Sequence, residues 1–161
     1  MARLRAASPT VLLALDEEGG DVARLHYLTG SNQPGNAVLG RIDDASATAA
    51  SAAAIAAELV ALGFNLILAP DADVNPTASN PVIGVRSFGA DAALVARHTA
   101  AFTSGLQRAG VAACAKQFPG HGGTATDSHL ALPTIAVDEH TLRTREPVPL
   151  PPLLPRAPPA S

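Results

Sequence analysis

The sequence predicts an α/β protein built around parallel strands. Three short apolar runs alternate with two helical segments: "TVLLAL" (residues 10–15), "NLILA" (65–69) and "GVAACAKQF" (110–118). Runs that are almost continuously apolar are typical of strands covered on both faces. Strands and helices that alternate at this spacing predict right-handed βαβ units, and such units build a parallel sheet.

The N-terminal stretch "MARLRAASPTVLLALDEEGG" superficially imitates a signal peptide. Its apolar part, residues 11–15, is shorter than the roughly 7–15 residues of a signal-peptide core and runs directly into three acids. We therefore interpret it as the first strand and expect no export signal in this chain. The localisation is left open by this interpretation.

Both helical segments carry start and stop signals. The first, at residues 43–63, opens with aspartate and serine, continues as an alanine-rich body and stops at Gly63. The second opens near Gly89 and stops at Gly110 in the same way. These signals place one helix between each pair of consecutive strands.

Composition excludes several classes of partner. The chain has 161 residues, 47% of them hydrophobic and 16% charged, which fits one domain with a sizeable core. A formal net charge of −3 with no basic stretch argues against nucleic acid and anionic membranes. No apolar run approaches the ~20 residues that span a bilayer. The single cysteine, Cys114, excludes an internal disulfide and a metal motif, and its apolar surroundings predict a buried, inert thiol.

A polar loop follows each predicted strand. These loops are "DEEGGDVARLH", "PDADVNPTASNPVIGVRSFG" and "PGHGGTATDSH". In parallel α/β proteins, ligands bind at the carboxyl ends of the strands. Three consecutive loops of this kind predict one shared site.

The first two loops offer three candidate residues. Asp16 ends a buried strand, where its carboxylate can accept hydrogen bonds from two neighbouring sugar or ribose hydroxyls. Arg24 can pair with Asp16 or with a substrate, although Glu17 and Glu18 could equally form a plain charged turn. Arg86 is one of few cations in the long second loop, where it binds a ligand or bridges to a loop carboxylate.

The third loop collects further ionisable groups. Lys116 stands where the third apolar run stops, so we expect its ammonium group to point into the mouth of the sheet. Asp127 and His129 are two residues apart, so in extended chain their side chains point the same way. A carboxylate beside an imidazole can fix its tautomer for general acid/base work. The alternative is a solvated surface loop in which Asp127 caps a turn.

The C-terminal segment has a different composition. Residues 147–161, "PVPLPPLLPRAPPAS", hold seven of the fourteen prolines, which predicts a polyproline-like or disordered tail. The preceding "DEHTLRTRE" is typical of the beginning of a helix. We therefore predict one globular unit at residues 1–146 and a proline-rich tail at 147–161.

Four stretches together resemble glycoside hydrolase family 3, in its β-N-acetylhexosaminidase branch. They are "LDEEGGDVARL", "NLILAPDADVN", "NPVIGVRSFG" and "KQFPGHGGTATDSHLALP", in family order and with family-like spacing. The resemblance implies a (β/α)8 TIM barrel, of which residues 1–146 would form an incomplete N-terminal part with roughly three parallel strands. It also implies retaining hydrolysis of a terminal β-linked N-acetylglucosamine, without cofactor or metal.

The resemblance assigns roles to eight residues. The substrate-binding positions are Asp16, Arg24, Arg86, Lys116 and Gln117. His129 matches the acid/base and Asp127 its carboxylate partner, and His121 resembles a residue that stabilises the loop. Gln117 stands where the family usually has histidine and cannot be charged, so we expect weaker sugar binding. Asp21 stands where arginine is common and reverses a charge near the site.

A third departure concerns the attacking carboxylate. In the family, the nucleophilic aspartate lies downstream of the stretches matched here, and a proline-rich segment follows them in this chain. We therefore expect a truncated glycosidase that is inactive by itself and that associates with itself or with a complementing fragment through an exposed barrel edge. The alternatives are a non-catalytic N-acetylglucosamine-binding module, the product of a disrupted gene, or an unrelated α/β protein with four coincidental motifs.

Overall fold

Three parallel strands form the central sheet. A computed structural model describes residues 1–77, 80–135 and 137–145. The strands are β1 (Ala14–Leu15), β4 (Leu66–Ile67) and β5 (Ala112–Ala113), in the order β1-β4-β5. Both pairings are parallel, and Leu66 is the partner of Ala14 on one side and of Ala112 on the other. The predicted parallel α/β arrangement is confirmed.

The two predicted helices connect these strands. α3 (Ala45–Leu62) begins at Asp44, whose carboxylate accepts hydrogen bonds from the backbone N–H groups of Ser46 and Ala47. It ends at Gly63, which has a φ of 88° that glycine adopts without strain. α4 (Ala92–Arg108) begins at Asp91, which accepts from the N–H of Leu94 at 2.7 Å. The aspartate start and the glycine stop of α3 are therefore as predicted, while α4 is capped two residues after the predicted Gly89 and ends two residues before the predicted Gly110.

The remaining elements are short. The structure adds α1 (Ala2–Ala7), α2 (Asn36–Ile42) and a 3₁₀ helix (Gly84–Arg86), none of which was predicted. The expected start of a helix near the end of the globular part is confirmed as α5 (Glu139–Arg145). A two-stranded antiparallel hairpin, β2 (Glu17–Gly19) and β3 (Val22–Ala23), lies in the loop that follows β1.

The core lies between α3, α4 and the sheet. Its largest fully buried side chains include Leu59, Ile67, Phe102 and Leu106. The two helices approach closely at Gly105, where a Cβ atom would lie 2.3 Å from the carbonyl oxygen of Ala49. Small residues therefore let α3 pack directly on α4.

The outer strands are less buried than the sequence predicts. Only β4 has the expected burial, since Ile67 is fully buried, while Ala14, Ala112 and Cys114 are exposed and Leu12 is 68% exposed. The prediction of a buried Cys114 is therefore wrong. β1 and β5 each have a strand neighbour on one side only among the described residues, so apolar residues on them keep contact with solvent.

Two predictions fall on other parts of the chain. The proline-rich tail predicted at 147–161 lies outside the described residues, so the division at residue 146 stays a prediction. Within the described part, one helix, α3, is long and apolar enough to cross a membrane by length and composition. Its buried face packs against α4 and the sheet, as in a core helix, and the absence of a membrane span also stays a prediction.

Candidate active site

The carboxyl ends of the three strands lie side by side. Beyond β4 and β5, Asp71 and Lys116 continue the pairing as a parallel bridge, and the N–H of Lys116 donates to the carbonyl of Pro70 at 3.0 Å. The N–H of Ala72 donates in turn to the carbonyl of Lys116. Asp16 directly follows β1, on the other side of β4. Backbone pairing therefore brings one ionisable residue from each strand end to the same edge of the sheet.

These residues form an ionic cluster of Asp16, Glu18, Asp71, Arg86 and Lys116. The ammonium nitrogen of Lys116 lies 2.5 Å from Asp16 Oδ1 and 2.6 Å from Glu18 Oε1. Arg86 binds Glu18 through two bonds, from Nε at 3.0 Å and Nη2 at 2.9 Å, and its Nη2 lies 3.3 Å from Asp71 Oδ2. Glu18, which is 2% exposed, thus stands between two cations, as a buried carboxylate requires.

The β2–β3 hairpin places Glu18. Gly19 and Gly20, with φ of 81° and 56°, turn the chain back tightly between the two strands. The pairing register shifts between Glu17 and Gly19, so Glu18 sits at a bulge, an irregularity that re-aims side chains. Glu17 is also buried, but its carboxylate accepts a hydrogen bond from the N–H of Leu25, and burial raises its pKa. The alternative of a plain charged turn at Glu17 and Glu18 is therefore wrong.

The 3₁₀ helix places Arg86. Its Nη1 donates to the carbonyl of Val82 at 3.2 Å, and its own carbonyl accepts from the side chain of Asn36 at 2.7 Å. Asn36 begins α2, so that helix holds the backbone of Arg86 while Glu18 holds its guanidinium. Of the two roles that the sequence offered for Arg86, the structure shows the bridge to carboxylates, and contact with a ligand stays a prediction.

Asp71 and Asp73 form a second buried acidic pair. The N–H of Asp73 donates to Asp71 Oδ1 at 3.0 Å. Burial raises the pKa of Asp71 well above its usual range, and the neighbouring charge of Asp73 raises it further, against the opposing effect of Arg86. Burial also raises the pKa of Asp73. Two adjacent buried carboxyls resist double ionisation, so we expect the pair to hold a proton well above the pH at which an ordinary aspartate loses it.

Asp73 and Asn80 hold the glycine-rich loop after β5, which we call the PGHG loop (residues 119–124). Asp73 Oδ1 accepts from the N–H groups of His121 and Gly122. The side chain of Asn80 donates to the carbonyls of His121, Gly122 and Thr124 at 3.1, 3.2 and 2.8 Å. Both ring nitrogens of His121 are buried without a hydrogen-bond partner, so this residue contacts the site through its backbone.

The Asp127–His129 couple lies further along the same loop. Asp127 Oδ1 accepts from the N–H of His129 and lies 2.8 Å from its Nδ1, so the predicted pairing of the two side chains is present. The chain here forms a turn and is not extended, because the N–H of Leu130 donates to the carbonyl of Asp127 at 3.0 Å, so Asp127 also caps a turn as the alternative expected. The hydrogen bond from the backbone N–H of His129 lowers the pKa of Asp127 most, and the hydrogen bond from the His129 imidazole lowers it further. The imidazole is 81% exposed, and Asp127 is its only side-chain partner among the described residues.

The structure unites some predicted site residues and separates others. Asp16, Arg86 and Lys116 meet through Glu18, whereas Asp127 and His129 contact each other but no member of the ionic cluster. Arg24 is exposed, and in the described part of the chain its guanidinium makes no hydrogen bond or ion pair. Gln117, next to Lys116, keeps a buried Oε1 without a partner.

Four residues of the site were not singled out from the sequence: Glu18, Asp71, Asp73 and Asn80. For three of them the spacing held a usable signal. Asp16 and Glu18 are two apart after β1, and Asp71 and Asp73 are two apart after β4, as are Asp127 and His129 after β5. Side chains two apart in extended chain share a side. No spacing in the sequence pointed to Asn80, because its role depends on its hydrogen bonds to the PGHG loop, which is distant in the chain.

A cleft of about 230 Å³ lies beside the ionic cluster. Glu18 and Arg86 line its polar side, and Val38 and Val85 its apolar side. Asp21, which stands where the family commonly has arginine, is exposed and lines this cleft. It is not a member of the ionic cluster. Among the residues that can be described, no three histidine, cysteine or acidic side chains are grouped so as to hold a metal ion.

Fold and site together define the class of protein. Parallel strand ends that converge on charged side chains are the arrangement of α/β barrel enzymes, whose sites lie at the carboxyl face of the sheet. A model of the glycosyl hydrolase family 3 N-terminal domain matches residues 2–157. The chain therefore belongs to glycoside hydrolase family 3, and its three strands with their helices are part of that family's TIM barrel.

Proteins of known sequence agree with this assignment. The chain is 37% identical over 153 residues to β-hexosaminidase A of Pseudoalteromonas piscicida, an alignment that covers 92% of this chain and 25% of that protein. It is 42% identical over 135 residues to a β-hexosaminidase of Methylococcus capsulatus, covering 83% and 40%. The chain thus spans less than half the length of these two relatives.

Solved structures agree as well. A family 3 β-N-acetylglucosaminidase from Paenibacillus sp. str. FPU-7 matches with a TM-score of 0.84 and 45% identity, covering 91% of this chain and 28% of that one. NagZ from Neisseria gonorrhoeae, solved in complex with N-trifluoroacetyl-D-glucosamine, matches with a TM-score of 0.84 and 34% identity, covering 94% and 47%. The fold is therefore shared closely over the part that this chain contains.

Proposed function

We propose that this chain supplies the sugar-binding and proton-transfer side of a family 3 active site that hydrolyses terminal β-linked N-acetylglucosamine with retention. The observation that carries the proposal is the contact of Lys116 with both Asp16 and Glu18 at adjoining strand ends. Family membership and the names of the relatives support the choice of sugar.

The contacts divide the ionic cluster into ligand-facing and supporting groups. The side chain of Asp16 is 34% exposed and that of Lys116 19%, whereas Glu18 is almost completely buried. A sugar hydroxyl can donate to the Asp16 carboxylate and accept from the Lys116 ammonium at the same time. Glu18 contacts Lys116 from its buried side and is itself held by Arg86. Arg24, Gln117 and the part of Arg86 that lines the neighbouring cleft are further candidates for contact with the sugar.

The Asp127–His129 couple is proposed to transfer the proton. With Nδ1 facing Asp127, Nε2 is the nitrogen left for the substrate. In a retaining mechanism a carboxylate attacks the anomeric carbon while the acid gives its proton to the glycosidic oxygen, so the C–O bond breaks and the alcohol leaves. Water then attacks the same carbon and gives its proton back to Nε2, which releases the carboxylate.

The resemblance assigns the attacking carboxylate to none of these 161 residues. We therefore expect that the chain assayed by itself binds N-acetylglucosamine but releases no leaving group from an aryl β-N-acetylglucosaminide. Calorimetric titration with the sugar tests the binding: heat that saturates in wild type and is lost in Lys116→Met supports the proposal. A flat isotherm at millimolar sugar contradicts it.

A non-catalytic sugar-binding module is the second candidate, and the high exposure of His129 favours it. The two candidates separate in a chimera that joins residues 1–145 to the remaining part of the Neisseria gonorrhoeae NagZ. Hydrolysis by this chimera that depends on His129 supports the glycosidase. Binding without any hydrolysis supports the module.

A further inference from the structure

We propose that Asp73 and Asn80 are positioning residues for the proton-transfer couple. Both lie in the loop after β4, and they fix the PGHG loop, which in turn places Asp127 and His129. This inference rests on the proposed function, since the couple matters only if it transfers a proton. Neither residue touches the Asp127–His129 pair, so both act through the backbone of the loop.

Asp73 bonds N–H groups of the loop backbone, and Asn80 bonds its carbonyl groups. Asp73 Oδ1 receives the N–H groups of His121 and Gly122, and the Asn80 amide donates to the carbonyls of His121, Gly122 and Thr124. Five backbone bonds thus converge on two side chains. A segment rich in glycine has little conformational preference of its own, so these bonds decide its shape.

Asp73 and Asn80 are both buried, so the loss of one of their hydrogen bonds would be costly. Asp73 is 1% and Asn80 4% exposed, so a lost bond would leave a backbone group unpaired away from water. Asn80 is itself held, because its Oδ1 accepts from the N–H groups of Val82 and Ile83. Gly122 also packs against Val74, where a Cβ atom would lie 1.9 Å from the carbonyl oxygen.

Local bonds extend this order to His129. The carbonyl of Thr124 accepts a hydrogen bond from Asn80, and the hydroxyl of Thr124 accepts one from the N–H of Thr126 at 3.1 Å. Asp127 follows directly and binds both the backbone and the ring of His129. Because Asp127 is the only described side chain that hydrogen-bonds to that ring, and the ring is 81% exposed, the position of His129 depends on the loop before it.

Hydrogen exchange measured by mass spectrometry on the full chain tests the proposal. Asn80→Asp keeps the oxygen that accepts from Val82 and Ile83 but replaces the donor with a second oxygen facing three carbonyls. Asp73→Ala removes the acceptor, whereas Asp73→Asn keeps an oxygen in place. Asp91→Ala is the matched control, since it removes a carboxylate–backbone bond at the start of α4, away from this loop.

We expect Asn80→Asp and Asp73→Ala to speed exchange over residues 119–130 by about tenfold or more, with α3 and α4 unchanged. Asp73→Asn should restore most of the protection, and Asp91→Ala should leave residues 119–130 as in wild type. Unchanged exchange in this segment, or faster exchange spread equally over α3 and α4, would overturn the proposal. Sugar binding is not part of the readout, so a failure of the proposed function shows instead in the titration.

Discussion

Lys116 and Asp16 are separated by 100 residues of sequence, yet the Lys116 ammonium lies 2.5 Å from Asp16 Oδ1. The contact exists because β1 and β5 flank β4 in parallel, so that their carboxyl ends meet at one edge. Glu18, from the hairpin after β1, completes the pairing from the buried side. The predictions below follow from this arrangement and from the loops around it.

Removing the charge of Glu18 should destabilise the fold strongly. Glu18→Gln leaves Arg86 and Lys116 without their shared buried partner, and breaking a buried ion pair costs about 3–5 kcal/mol. The free energy of unfolding in urea measures the effect. Glu139→Gln, which breaks an exposed pair with Arg143, is the control and should leave the midpoint unchanged. Equal midpoints for both variants would contradict the buried role of Glu18.

The buried acids should make stability fall as pH rises. The folded-state pKa values of Asp71 and Asp73 lie above the ordinary value of 3.8, so above that value the folded state binds more protons than the unfolded state. Stability from this pair is therefore full below pH 3.8 and is lost as the pH rises through the folded pKa values. Asp71→Asn should flatten this decline in urea midpoints measured from pH 4 to 8.

Asp138→Asn is the control for that titration. Hydrogen bonds from Thr141 lower the pKa of Asp138, so stability from this group is complete at high pH and is lost as the pH falls through its folded pKa, mostly below the measured range. The slope from pH 4 to 8 should be the same as in wild type. An Asp71→Asn slope equal to that of Asp138→Asn would contradict the assignment.

Gln117→His should tighten sugar binding. The substitution restores the residue usual in the family motif and provides a charge-assisted hydrogen bond, which is about twice as strong as a neutral one. We expect the affinity for N-acetylglucosamine to rise about threefold to tenfold in calorimetry. Gln107→His, on the exposed side of α4, is the matched control and should have no effect. A lower affinity in Gln117→His would argue against contact between this position and the sugar.

In the NagZ chimera, His129→Ala should slow hydrolysis strongly without weakening binding. Loss of a general acid/base slows a reaction by about 10²–10⁴-fold, whereas the sugar-binding contacts proposed here lie in the ionic cluster. Release of an aryl leaving group and calorimetric titration measure the two effects separately. His140→Ala, which changes an exposed histidine of α5, should retain the activity. Full activity in His129→Ala would remove His129 from the mechanism.

The outer strands should drive association between copies of this chain. Among the described residues, β1 and β5 are the two edges of one parallel sheet, so the β5 edge of one copy can continue into the β1 edge of the next. Leu12, which precedes β1 and is exposed, should contribute, and Leu12→Lys should shift sedimentation towards the monomer. Val60→Lys replaces an exposed apolar residue of α3 and is the control. A monomer at high concentration in wild type would contradict the prediction.

Local signals were sufficient to predict the order of the main elements. Asp44, Gly63 and Asp91 mark helix boundaries through bonds within a few residues, which a sequence can display. The i, i+2 spacing also predicted the contact between Asp127 and His129, although the contact forms in a turn and not in the extended chain that the prediction assumed. The same rule, applied to Asp16 and Glu18, would have identified the buried carboxylate that faces Lys116.

The sequence by itself determined the parallel α/β class, the family and the gathering of charged residues at the strand ends, because these follow from local periodicity, capping and motif order. Only the tertiary structure decided that Glu18 is buried between Arg86 and Lys116, that Arg24 faces solvent and that Cys114 is exposed. Burial and ion pairing depend on which segments pack together in space. Those contacts join residues far apart in the chain, where no local pattern records them.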